Sequence, residues 1–230
     1  GVGFVMAVQG NCSWSAAGGT NRTMLQDDAG EWTYLATNAN AGTSTTCFAC
    51  YDPTRHGLWY MPSSDGRPSF FDLATLTWEY KSTWDYYGTW TAHRGVFIPE
   101  LDVLAMISVG ELSLWNPTTG HRTVATLAGT QPSGLTFSGY SGAEWDDGLG
   151  CLCLWHNASD TPVISTLTPG TDPYVDTWTW GTLPVAESNA VTPSACVPDG
   201  TYGRFFYSRQ LRGFGILNDV SQPIYFYARG

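Results

Sequence analysis

The chain has 230 residues, of which 43% are hydrophobic, 14% aromatic and only 13% charged, and its net charge is −10. Average proteins carry roughly a quarter charged residues; here Lys81 is the sole lysine, beside nine Arg. The acidic balance argues against binding a phosphate backbone, which wants clustered Lys and Arg. The aromatic content argues against disorder, and no run approaches the ~18 apolar residues of a membrane-spanning helix.

The chain opens on Gly1, with neither an initiator Met nor a basic–apolar leader, so a processed product or a piece of a longer protein is expected. In chain order, short apolar or aromatic runs alternate with turns: Gly3 to Val8, Leu58 to Met61, Val103 to Ile107, Cys151 to Trp155 and Phe214 to Leu217. Their length and their β-branched and aromatic content read as strands. A turn with an acidic residue or Asn precedes a new strand at Asp28, Asp72 and Asn116, 44 residues apart each time. An aromatic precedes a polar hairpin at Tyr51, Phe97, Trp145 and Tyr207, at steps of 46, 48 and 62. A period of about 40–50 residues with four strands per repeat is the mark of a β-propeller.

The repeats are expected near 1–40, 41–88, 89–135, 136–190 and 191–230, in one domain. Outer strands are expected at Glu31–Ala36, Thr77–Ser82, Arg122–Leu127 and Asp176–Leu183. The first repeat lacks an inner strand and the last an outer one. Either further sequence or a neighbouring subunit supplies strands, or the terminal blades are three-stranded with shielded edges.

The run Phe71-Asp72-Leu73-Ala74-Thr75-Leu76-Thr77-Trp78 resembles the strand–turn–Trp element of kelch-type propellers, the superfamily of the galactose oxidase central domain. The runs Gly200 to Tyr207 and Asn218 to Tyr225 are similar to the last repeat of kelch-like proteins of bacteria and their phages. The paired glycines that often end the second kelch strand are absent. The resemblance implies an all-β, kelch-like propeller of about five four-stranded repeats with incomplete terminal blades. Because this architecture hosts enzymes, lectins and scaffolds alike, it implies no activity.

Metal and cofactor chemistry find little support. The four His (His56, His93, His121, His156) fall in different repeats, with His56 in a hairpin and His121 opening an outer strand. Cys47 and Cys50 have C-x-x-C spacing without the second pair of a zinc ribbon. Cys151 and Cys153 share one strand face and read as small buried hydrophobes. Neither cofactor nor metal is expected. The carboxylate pairs Asp27-Asp28 and Asp146-Asp147 sit in turns, where Asp caps backbone amides. Three glycosylation sequons begin at Asn11, Asn21 and Asn157.

Two binding constellations stand out. Inner strands of a propeller face a shared channel, where Arg94, Arg204, His93, Glu144 and Tyr202 would form a polar mouth. It would hold an anionic or sugar-like ligand through Arg forks, or its arginines would simply pair with acids. The second is the loop Thr83 to Trp90, whose Trp84, Tyr86, Tyr87 and Trp90 suit stacking on sugars or a protein hot spot, unless Trp84 and Trp90 pack between blades. The expected role is non-enzymatic binding or scaffolding, extracellular or virion-associated, with a glycan or protein surface as partner and neighbouring subunits of an assembly as further contacts. No nucleic acid and no membrane insertion are expected. The alternative is a secreted carbohydrate-active enzyme using His93, Arg94, Glu144 and Arg204.

Overall fold

A computed structural model describes residues 4–9, 21–26, 29–37, 48–61, 66–86, 94–108, 110–131, 141–155, 163–183, 191, 193, 204–219 and 221–229. The protein is all-β. In chain order the strands are β1 (Phe4–Gln9), β2 (Asn21–Gln26), β3 (Trp32–Thr37), β4 (Phe48–Asp52), β5 (Gly57–Met61), β6 (Ser69–Asp72), β7 (Thr77–Tyr80), β8 (Arg94–Ile98), β9 (Val103–Ser108) and β10 (Glu111–Trp115). They continue as β11 (Arg122–Val124), β12 (Leu127–Ala128), β13 (Gly142–Asp146), β14 (Cys151–Trp155), β15 (Ile164–Thr168), β16 (Trp178–Thr182), β17 (Phe205–Ser208), β18 (Gly213–Ile216) and β19 (Tyr225–Ala228).

Contacts divide the chain into two compact units, Gly1–Thr91 with Asn116–Arg122, and Ala92–Trp115 with Thr123–Gly230. In the first unit β1–β2–β3 form a three-stranded sheet, described by its backbone except at Gln26 and along part of β3, and β4–β5–β6–β7 a four-stranded meander. The sheets of the second are β8–β9–β10–β11, the five-stranded β13–β14–β15–β16–β12 and the three-stranded β17–β18–β19. Four of these sheets, those beginning at β4, β8, β13 and β17, are propeller-like blades with their side chains described. Within the second unit β13 lies beside both β8 and β17 without joining their sheets, as the inner strands of successive blades do.

Hairpin chemistry explains the blades. Asp52 and Asp146 each accept two turn amides on Oδ1, from Thr54 and Arg55 and from Gly148 and Leu149. Five backbone positions after the last residues of β4, β8, β13 and β17 the next strand begins, and each turn ends on a left-handed residue: His56, Asp102, Gly150 and Arg212. Their steps of 46, 48 and 62 repeat those of the aromatics Tyr51, Phe97, Trp145 and Tyr207. In the other hairpin class Asp72, Asn116, Asp172 and Asp219 accept the amide two residues on. The Asp72 carboxyl is held below its ordinary value chiefly by the Ala74 amide, then by that of Thr75.

Between strands, the blades pack through alternating side chains. One buried cluster joins Val96, Ile98, Val103, Leu112 and Leu114 to Ala143, Trp145, Leu152, Leu154 and Trp178. The opposite face of the β13 sheet packs Cys151, Cys153, Trp155 and Ile164 against Phe205, Phe214, Ile216 and Tyr227. Gly142 is needed at that contact, because a Cβ there would lie 2.3 Å from the Cβ of Phe205.

Two expectations change. The outer strand expected at Arg122–Leu127 is split: β11 stays beside β10, and β12 crosses to run parallel to β16, with Leu127 opposite Trp178. Trp178 N–H donates to the Thr126 carbonyl, so the crossing satisfies an edge that would otherwise be open. Glu31 and Asp176 lie outside the strands, which run Trp32–Thr37 and Trp178–Thr182; Asp176 instead accepts the Asp172 amide. Of the 44-residue register, Asp28 lies outside the described residues, and Asp72 and Asn116 both cap turns.

Candidate functional site

The first candidate site is a surface corner of the first unit. After β7 the chain doubles back: Lys81 N–H donates to the Pro68 carbonyl and Trp84 N–H to the Lys81 carbonyl. This fold lays the Trp84 ring on Trp59 at 5.1 Å between centroids, and Trp59 on Phe70 at 4.6 Å. Lys81 Nζ stands 5.8 Å from the Trp59 and Trp84 rings alike. Gly120 closes the stack; a Cβ there would lie 2.2 Å from the Trp84 ring, and its φ of +74° suits glycine. Trp84 is therefore buried packing, and its ring is not offered to a ligand.

The two residues after it stay outside. Tyr86 is 49% exposed, with the Arg67 guanidinium over its ring at 5.1 Å. Arg67 is aimed by its Nε, which donates to the Trp84 carbonyl at 3.1 Å. Asp85 N–H donates to the Gly120 carbonyl, and Asp85 Oδ2 accepts the Arg122 amide at 2.8 Å and faces His121 Nδ1 at 2.8 Å. The Arg122 amide is the main reason the Asp85 carboxyl sits below its ordinary value, His121 adding to it. The corner thus offers an aromatic face, a carboxylate, an imidazole and a guanidinium. Such a set can stack on and hydrogen-bond a sugar, or anchor a protein loop.

The second candidate site lies on the inner strands of the second unit. Glu144 is in β13, opposite Cys153, and Arg94 opens the neighbouring β8. Burial pushes the Glu144 carboxyl up to about 7, and the Arg94 charge offsets only part of that. Arg204 stands at the start of the blade of β17. Its charge adds to the lowering of the Asp219 carboxyl, which is due chiefly to the Ser221 amide. Of the other expected site residues, Tyr87, Trp90, His93 and Tyr202 lie outside the described residues. Arg67 and His121 are additions that the chain's local pattern could not mark, since each comes from a segment separate from the Thr83–Trp90 loop.

Cys151 and Cys153 are both buried, with Sγ atoms 3.7 Å apart. The contact between them holds the Cys151 thiol down and pushes the Cys153 thiol up. Cys47 lies outside the described residues, whereas Cys50 is partly exposed in β4. Among the described residues no three His, Cys, Asp or Glu side chains converge to hold a metal ion, and no helix is long and apolar enough to cross a membrane.

No protein-family model matches the chain, and no curated protein matches it. Solved structures do. An auxiliary nutrient binding protein from Bacteroides ovatus aligns with a TM-score of 0.53 and 16% identity, over 89% of this chain and 52% of its own. An auxiliary nutrient binding protein from Bacteroides thetaiotaomicron aligns with a TM-score of 0.50 and 13% identity, over 85% of this chain and 50% of its own. The chain spans about half the length of these structures. At such identities the likeness is one of fold: blades of a β-propeller type.

Proposed function

We propose that the protein is a non-enzymatic binding or scaffold module that contacts a glycan or a protein surface through the Tyr86 corner. The observation that carries this reading is the exposed Tyr86 ring under the Arg67 guanidinium, next in the chain to the Asp85–His121 pair. The nutrient-binding role in the names of the two Bacteroides structures agrees with a binding propeller. In this reading the chain is a kelch-like propeller domain of about five repeats, working in an extracellular setting or on a virion, and Tyr87 and Trp90 extend the aromatic surface. Glycan-array binding, set beside turnover assays on polysaccharides, tests it. Saturable binding without turnover supports the module. Stoichiometric incorporation into a larger particle, with neither binding nor turnover, would make it a scaffold.

A second reading rests on Glu144. A carboxyl held near 7 beside Arg94 is suited to general acid catalysis at neutral pH. A carbohydrate-active enzyme would use it with His93, Arg94 and Arg204 at a channel mouth. Turnover that disappears in Glu144→Gln would establish that reading, and turnover indifferent to this change would end it.

A further inference from the structure

Among the described residues, the face of the β13 sheet that bears Cys151 and Cys153 is covered by the blade of residues 204–219 and 221–229. Phe205, Phe214, Ile216 and Tyr227 press on the thiols from that side. On its other face the same blade exposes Phe206 by 47% and Phe226 by 41%, opposite Gly215 from either side. Among the described residues the cover is therefore seated through one face.

Polar ties hold it as well. Tyr227 Oη donates to the Leu183 carbonyl and Trp155 Nε1 to Asn218 Oδ1. Arg209 Nε reaches Asp147 at 2.8 Å, and Arg229 Nη1 reaches both oxygens of Asp146 at 2.5 and 2.6 Å. The last tie differs from its counterpart at Asp52. That buried carboxylate is satisfied within its own blade, by Arg55 three residues on and Trp59 seven residues on. At the same offsets from Asp146 stand Leu149 and Cys153, neither of which can donate as a guanidinium or indole does. Asp146, fully buried, is completed by the cover itself.

We propose that residues 204–229 form a latched cover over the Cys151–Cys153 thiol pair, with the Arg229–Asp146 ion pair as the latch. Released, the blade swings off as a unit and presents two adjacent thiols to thiol-directed reagents, while the blades of β8 and β13 keep their shared core. Local opening of this kind is favoured where a segment packs on one side only.

Iodoacetamide labelling of the native protein, resolved by peptide mass, tests the latch. In Arg229→Ala the labelling rate of Cys151 and Cys153 is expected to rise about tenfold or more over the parent, with an intermediate rise in Arg229→Lys. Amide exchange of β9 and β10 stays at the parental rate. Unchanged labelling overturns the proposal, as does a rise accompanied by equal loss of protection in β9 and β10. Should Arg229→Ala fail to fold, exchange in the parent decides: β17–β19 must open together and more readily than β9 and β10. Equal protection of the two groups overturns the latch.

Discussion

Trp59 donates its indole N–H to Oδ2 of Asp52 at 2.9 Å, inside a blade where both side chains are buried. The same carboxylate takes the Thr54 and Arg55 amides on Oδ1 and the Arg55 guanidinium on Oδ2. One short side chain thus closes the β4–β5 hairpin and fixes the ring on which Phe70 and Trp84 stack. Removing it leaves buried donors unsatisfied. Asp52→Ala is expected to cost about 3–5 kcal/mol, read as a lower urea midpoint by tryptophan fluorescence.

Gly57 sits beneath that stack. A Cβ there would lie 2.2 Å from the Phe70 ring and 2.4 Å from the Phe71 carbonyl oxygen. Gly213 repeats the arrangement under Phe226, at 2.5 Å from both the ring and the Tyr227 carbonyl oxygen. The Phe71 backbone cannot yield without breaking the sheet, so Gly57→Ala is expected to destabilise by about 2 kcal/mol or more. Gly110→Ala meets no neighbour and strains only a left-handed residue, at about 1 kcal/mol. Paired thermal denaturation ranks the two, and a milder effect at Gly57 contradicts this packing.

Trp84 and Tyr86 lie two residues apart with opposite duties. Trp84→Ala empties a buried stack and is expected to lower stability by about 3 kcal/mol. Tyr86→Ala removes an exposed ring and is expected to shift it by less than about 0.5 kcal/mol. Equilibrium unfolding of both variants distinguishes a packing residue from a surface one.

Glu144 makes stability depend on pH. Folding raises its carboxyl from an ordinary 4.5 to about 7, so between those values the folded chain binds a proton that the unfolded chain has lost. Its favourable contribution is complete below about pH 4.5 and fades as pH rises through about 7, by at most about 3 kcal/mol. Glu144→Gln keeps the shape and removes the titration. Relative to the parent, the variant is expected to gain urea resistance at pH 8 and to show no gain at pH 4.5.

Much of the fold was legible because hairpin chemistry is local. The aromatics Tyr51, Phe97, Trp145 and Tyr207 mark inner-strand ends, and the left-handed residues that close those hairpins keep the same spacing. Asp72 and Asn116 revealed turns because an Asp or Asn side chain caps amides two residues away. The crossing of β12 to β16 was not legible, since two residues, Leu127 and Ala128, carry it. The candidate corner was legible only in part. Tyr86 and Asp85 lie in one aromatic segment, but Arg67 and His121 reach them from distant turns. Burial of Trp84 depends on Gly120, 36 residues on, and no local pattern distinguishes a ring that will be covered from one left bare.

The central claim is that Tyr86 and the side chains around it form a binding surface. The most direct test measures binding of the glycan or protein recovered from array screening to the parent, Tyr86→Ala and Arg67→Ala, with Tyr34→Ala, an exposed tyrosine of β3, as the control. The expected result is a loss of affinity of about tenfold or more in the first two variants at unchanged fold, and none in the control. Equal affinity in all four proteins would contradict it.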